Sequence, residues 1–140
     1  MAITTEELID LLNADLTKEY AAAVQYIQHA ALITGPEYIA IQKELVIHAN
    51  EEIGHAIQLA EQITDLGGTP TVDVDERYTS GDSKEMLKQD LTGELDAVKR
   101  YKERVAQARE MGEFGLEKTL VDILVMEEEH ARDLQAALGQ

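Results

Sequence analysis

The chain has 140 residues and a formal net charge of −16, so a single domain spanning residues 1–140 with a core of its own is expected. It contains no cysteine, which excludes disulfides, thiolate metal sites, iron–sulfur clusters and a cysteine nucleophile. The acidic balance speaks against sequence-independent nucleic-acid binding, which needs Lys and Arg on phosphates. No apolar run reaches membrane-span length and the opening MAITTEELIDLL lacks a signal-peptide core. The expectation is a cytoplasmic protein with no nucleic-acid or membrane partner.

Leu, Ala, Glu and Ile dominate, aromatics make up 4% and there are two prolines, a balance that favours helices. Thr4 with Glu7 forms a capping box for a first helix that runs to about Thr34. Gly35-Pro36 ends it, and Pro36 suits the first turn of a second helix that stops at Gly67-Gly68. A polar stretch, TPTVDVDERYTSGD, leads to Asp82 or Ser83 as cap of a third helix. Met111-Gly112 marks the next corner, and a fourth helix continues to about Leu138.

Two of the corners are short, so the first and second helices, and the third and fourth, form antiparallel hairpins. A 30-residue helix is roughly 45 Å long, and the connection between the second and third can span about 50 Å when extended. That connection can cross the whole bundle. The fold class expected is all-α, an antiparallel four-helix bundle with one long crossover.

Helical spacing then finds the inward stripes. They read Leu12, Leu16, Glu19, Ala23, Tyr26, Ala30, Ile33 in the first helix and Ile41, Leu45, His48, Glu52, His55, Leu59 in the second. The third gives Leu87, Leu91, Glu94, Val98, Tyr101, Val105, Ala108, and the fourth Leu116, Leu120, Ile123, Glu127, His130, Leu134. Each stripe is apolar except near its middle, where a carboxylate sits, with a histidine three residues later in the second and fourth. The pattern is an internal repeat with a fixed offset of 75: DLTKEYAAAVQY and DLTGELDAVKRY share six of twelve positions, Glu52 matches Glu127 and His55 matches His130.

A lone buried Glu is usually a side chain reaching the surface, and a lone His usually a satisfied core residue. Six at matching depth, in two copies, converge on one place. Four buried carboxylates repel at a cost of several kcal/mol each unless neutralised, and two divalent cations cancel that charge. Oxygen and imidazole donors without sulfur suit iron or manganese.

With these residues the sequence resembles the ferritin-like di-iron proteins, most closely bacterioferritin, over nearly its whole length. The resemblance rests on KEY around Glu19, EEIGH ending in His55, DLTGELD around Glu94 and EEEH ending in His130. It implies that Glu52 and Glu127 bridge two iron ions, with Glu19 and His55 completing one and Glu94 and His130 the other. It implies a ferroxidase centre that oxidises Fe(II) with O2 or H2O2 for iron storage or detoxification, in a homo-oligomer of at least two chains.

Departures limit what is carried over. Bacterioferritin places a haem-ligating methionine directly after the first Glu of its Glu-x-x-His. That position is Ile53 here, and none of Met1, Met86, Met111 and Met126 replaces it, so no haem is expected. The family's short fifth helix has no counterpart before Gln140, so the 24-subunit cage is not carried over. The same ligands also serve peroxide-scavenging or oxygenase enzymes with di-iron or di-manganese centres, and metal-binding bundles without catalysis.

Five further residues lie close to the six. Asp15 and Asp90, one turn before Glu19 and Glu94, are expected to accept the second N–H of the metal-bound histidines. Tyr26 and Tyr101 are expected to hydrogen-bond ligand carboxylates, to carry an electron, or only to pack. His48, whose counterpart is Ile123, is either a core residue or a transient ligand; His29 falls off the stripe. Gly54, inside the second helix, points to a close contact with another helix or subunit.

Overall fold

The computed structural model describes residues 2–140. Helix α1 spans Thr5–Leu32 and is opened by the expected capping box: Glu7 N donates to Thr4 Oγ1 at 3.1 Å, and Thr4 N to Glu7 Oε1 at 3.2 Å. It ends two residues earlier than the pattern suggested, where Ile33 turns extended. Gly35 follows at φ 122°, a value a side chain would resist. Pro36 opens a single 3-10 turn, Pro36–Tyr38, rather than the helix itself; α2 spans Ile39–Asp65. Helix α3 spans Ser83–Glu110 and α4 spans Phe114–Ala137, joined through Gly112 at φ 72°.

Asp82 is the cap of α3, accepting from Glu85 N at 2.9 Å. Ser83 is used elsewhere. Its hydroxyl both accepts from Thr34 N and donates to Thr34 O, at 3.1 Å each, and so ties the start of α3 to the end of α1.

The connection 66–82 has no regular structure, yet its course is fixed by a ladder of bonds along α1. Asn13 holds Thr69 and Thr71, the Tyr20 hydroxyl donates to Thr71 O, and Lys18 pairs with Asp75 at 2.7 Å. Further along, Gln25 Oε1 accepts from Tyr78 N, and His29 Nε2 faces Tyr78 O at 3.1 Å. The segment thus climbs α1 from end to end and makes α3 antiparallel to it. Helix α1 packs mainly on α2 and α3 on α4, with narrower contacts between α1 and α3 and between α2 and α4.

The core is two apolar layers. One gathers Leu8, Leu12, Leu16, Leu59, Leu116 and Leu120; the other Ile33, Ile41, Leu45, Leu87, Leu91 and Leu134. The expected stripes hold with one shift: on α3, Val98 and Val105 are half-buried, and Ala97 and Arg104 take the inward positions. Gly54 makes no close contact within the chain, since a Cβ there would meet nothing within 4 Å. No helix among the described residues is long and apolar enough to cross a membrane.

Candidate metal centre

Between the two apolar layers lies a polar one. Glu19 from α1, Glu52 and His55 from α2, Glu94 from α3, and Glu127 and His130 from α4 are all buried, none more than 5% exposed. Each sits mid-helix because the apolar stripe carries it inward and the i+3 spacing aligns each histidine with its glutamate.

The distances separate two kinds of carboxylate. Glu52 Oε1 lies 3.3 Å from His55 Nδ1 and 3.3 Å from His130 Nδ1. Glu127 Oε1 lies 3.4 and 3.3 Å from the same two atoms. Glu19 reaches only His55, at 3.6 Å, and Glu94 only His130, at 3.3 Å. Glu52 and Glu127 are therefore central and Glu19 and Glu94 lateral. The ligand atoms form two overlapping groups, Glu19–Glu52–His55–Glu127 and Glu52–Glu94–Glu127–His130.

Hydrogen bonding shows the same polarity. Eight buried side-chain nitrogen or oxygen atoms lack a partner among the described residues, and six belong to this cluster, one from each side chain. Unpartnered buried polar atoms are rare and require an explanation; here Glu19 Oε2, Glu52 Oε1 and Glu127 Oε1 all lie around His55 Nδ1, and all are metal-donor types, whereas the orphaned Nε2 of His130 lies on the Glu51 side. The residues present fit two divalent cations.

The electrostatics of the metal-free centre point the same way. Burial, then the charges of Glu127, Glu19 and Glu94, push the Glu52 carboxyl well above its usual range. Burial and Glu127 push Glu94 up to about 8. Burial would lower both imidazoles, but the facing carboxylates, Glu127 first among them, outweigh it and raise His55 to about 12 and His130 to about 11. Glu127, also pushed up by burial, is held well below its ordinary range by His130 and His55. The upward shifts of Glu52, Glu94, His55 and His130 all favour the protonated form, which offsets part of the carboxylate charge.

Tyr26 of α1 donates to Glu94 Oε1 of α3 at 2.6 Å, and Tyr101 of α3 donates to Glu19 Oε1 of α1 at 2.5 Å. This reciprocal exchange fixes each lateral glutamate from the opposite hairpin. His48 stacks on the His130 ring with centroids 4.0 Å apart, and burial followed by the His130 charge lowers it to about 4. Glu51 Oε1, partly exposed, is 3.5 Å from His130 Nε2.

Asp15 and Asp90 do not contact His55 or His130. Asp15 receives Arg100 at 2.7 Å and Arg104 at 2.7 Å, and Asp90 receives Gln25 at 2.9 Å and faces His29 Nδ1 at 2.9 Å. The reason is geometric: both aspartates sit at the α1–α3 seam, whereas the histidines are on α2 and α4. The sequence reading missed His29, Arg100 and Arg104. For His29 the signal is the Asp90 carboxylate, a matching buried partner on the facing helix; for the arginines it is Asp15. A cavity of about 430 Å³ opens at this seam and reaches Glu19, Glu52, Glu94 and Glu127.

An all-α bundle with two overlapping carboxylate–histidine sets at its middle defines the class of carboxylate-rich four-helix metal bundles. The particular family is the ferritin family, to which this chain belongs: the ferritin-like domain matches residues 9–140. It is 32% identical to a bacterioferritin of Rhodobacter capsulatus over 88% of this chain and 76% of that one. It is 31% identical to a bacterial ferritin of Pseudomonas aeruginosa over 95% and 87%. Among solved structures, a ferritin-like, diiron-carboxylate protein from Bacillus anthracis superposes with a TM-score of 0.92 at 34% identity, covering 99% of both chains. A dodecameric thioferritin, the bacterioferritin-related protein from Bacteroides fragilis, superposes at 0.90 with 32% identity over 98% and 87%.

Two measurements check this geometry. Asp15→Ala leaves two guanidinium groups in or near the core without their carboxylate, and is expected to lower stability by about 3–5 kcal/mol in urea unfolding of the metal-free protein. Glu52, Glu94, His55 and His130 hold protons in the metal-free fold that the unfolded chain releases, so their contribution is complete below the unfolded values and is lost as pH rises. The Tm of chelator-treated protein should fall between about pH 5 and pH 8, whereas protein saturated with Zn(II), its ligands already deprotonated, should show no such fall. A metal-free Tm that rises over that interval would contradict the charge arrangement described.

Proposed function

We propose that this chain is a ferroxidase-type iron-binding protein that takes two Fe(II) ions as substrate and oxidises them with O2 or H2O2, for iron storage or detoxification. One observation carries the reading: Glu52 and Glu127 are each within 3.4 Å of both His55 Nδ1 and His130 Nδ1, the placement two ions sharing two carboxylates require. In this reading Glu52 and Glu127 would be shared by both ions, Glu19 and His55 would hold one of them, and Glu94 and His130 would hold the other. Tyr26 and Tyr101 hold the lateral glutamates in position and, in the metal-free state, hydrogen-bond to them in place of an ion. Iron supplies the redox chemistry; the chain supplies negative charge, orientation and a largely dry site.

The cavity supports an inorganic substrate over an apolar organic one. Its mouth carries Asp75, Glu76, Glu85 and Asp96 against Lys18, Lys88 and Arg100, and Lys18 and Arg100 are already paired with aspartates. That leaves an acidic approach suited to a cation. No haem is proposed, because Ile53 offers no axial ligand. A homo-oligomer of at least two chains is supported by the outer face of α1 and α2, where Ile27, Ile53 and Ile57 are 43–56% exposed. Their counterparts 75 residues later are Lys102, Glu128 and Arg132, so the second hairpin is charged at the equivalent positions. The acidic, cysteine-free composition accords with a cytoplasmic protein that binds neither membrane nor nucleic acid.

The test is an anaerobic Fe(II) titration of apo-protein followed by a pulse of O2, or of H2O2, watched through the near-ultraviolet absorption of ferric iron. The expected result is a break at about two ions per chain and rapid oxidation, both lost in Glu52→Ala. Two bound ions that stay ferrous under both oxidants would overturn the reading. Retention of Mn(II) with catalase activity would replace it with a di-manganese, peroxide-destroying one.

A further inference from the structure

The α1–α3 seam carries two buried clusters built on one plan with different residues. Asp15 of α1 receives Arg100 and Arg104 of α3; Asp90 of α3 receives Gln25 and faces His29, both of α1. Each member of the first cluster is the counterpart, 75 residues away, of one in the second. The guanidinium groups carry a fixed charge, whereas His29 can gain and lose a proton. Of the two clusters, only the second is bonded to the crossover among the described residues. Gln25 Oε1 accepts from Tyr78 N at 2.8 Å, and His29 Nε2 faces Tyr78 O at 3.1 Å. Both polar atoms of the Tyr78 backbone are held in this way.

His29 is fully buried and Asp90 is 3% exposed, so water does not make up for a lost partner. Nδ1 of His29 lies 2.9 Å from each Asp90 oxygen. A carboxylate and a carbonyl both accept, so the two contacts of the ring are hydrogen bonds together only while the His29–Asp90 pair holds two protons. Burial pushes the Asp90 carboxyl up, which favours keeping them. When one is lost, the remaining N–H serves the charged acceptor, Asp90, better than the neutral one, and a bare Nε2 is left against the Tyr78 carbonyl. Asp90 is the charged side chain that faces the ring from α3. On the crossover, Glu76 is taken by the Tyr78 hydroxyl at 3.1 Å, and among the described residues no side chain of α2 or α4 is bonded to the ring.

Tyr78 also has a particular place. Together with Asp75 and Glu76 it walls the cavity that runs between α1 and α3 to Glu19, Glu52, Glu94 and Glu127. The crossover has no regular structure there, so its bonds to the flanking helices keep it in position. On either side of Tyr78 those bonds involve no imidazole: Asp75 N donates to Thr17 O at 3.1 Å, and Gln89 Nε2 donates to Thr79 O at 3.0 Å. We propose that residues 76–78 are a proton-dependent lid on this cavity, latched at Tyr78 by Gln25, His29 and Asp90, closed while the His29–Asp90 pair keeps both protons and released as pH rises. The anchors at Asp75 and Thr79 confine the movement to the residues between them. The lid needs no metal, so it stands whether or not the centre oxidises iron.

The test is hydrogen exchange of single backbone amides, followed by NMR in the full chain saturated with Zn(II), which keeps the ligands of the centre deprotonated throughout. The 15N shifts of the His29 ring, read on the same sample, locate its titration. After correction for the intrinsic pH dependence of exchange, protection of the Tyr78 amide should fall about tenfold through that titration, as expected for loss of one buried hydrogen bond. The Asp75 amide should stay protected. His29→Arg copies the residue at the equivalent position of the other hairpin, and should keep Tyr78 protected at every pH. His29→Gln, with one amide group and no titration, should leave it unprotected at every pH. Protection of Tyr78 that stays constant while His29 titrates, or that still falls with pH in His29→Gln, would overturn the proposal. A ring that keeps one protonation state from about pH 5 to pH 9 would overturn it as well.

Discussion

The mutual repulsion of four buried carboxylates is the constraint on which the rest of this structure depends. Placed together in a low-dielectric layer, they are stable only when an equal positive charge joins them. In the metal-free chain the raised Glu52, Glu94, His55 and His130 favour bound protons as that charge. Protons and divalent ions compete for the same positions, and in the metal-free fold the lateral glutamates are also held by bonds that need neither. Tyr26 and Tyr101 are those bonds: each hydroxyl reaches across to a lateral glutamate of the other hairpin.

The surroundings can be understood as supports for that layer. Leucine-rich layers above and below exclude water from it. At the α1–α3 seam, Asp15 binds two arginines. On the same seam Asp90 and the Tyr78 carbonyl face the two nitrogens of His29, which ties the crossover to both helices. These pairs lie next to the cavity that leads to the glutamates, so the route is walled by charges already committed to one another.

Much of this was legible in the sequence. The four inward stripes, the six central residues and the long crossover follow from helical spacing, punctuation and the 75-residue repeat, because a periodic pattern projects directly onto one face of a helix. What spacing does not encode is the partner of a residue at the edge of that face. Asp15 and Asp90 are one turn from the glutamates, yet they turn to the seam, where Arg104 and His29 meet them. His29 depends further on a carbonyl in an irregular segment, which has no period to read. Arg104 was hidden because the stripe on α3 was stepped through Val105, one residue from the true inward position. Pro36 illustrates a smaller limit: its fixed φ suits a 3-10 turn as well as an α-helix, and here the tighter turn precedes α2.

The division of the ligands between the two hairpins has a kinetic consequence. Each hairpin is built from local contacts and can form early, while joining them requires closure of the 66–82 segment. Both ligand groups take residues from both hairpins, so neither group exists until that docking step is complete. An ion bound in either group is then a crosslink between two units that would otherwise separate along their narrower contacts. Separation of the hairpins in a loaded protein would have to break ligand bonds as well as side-chain packing, which would slow its unfolding.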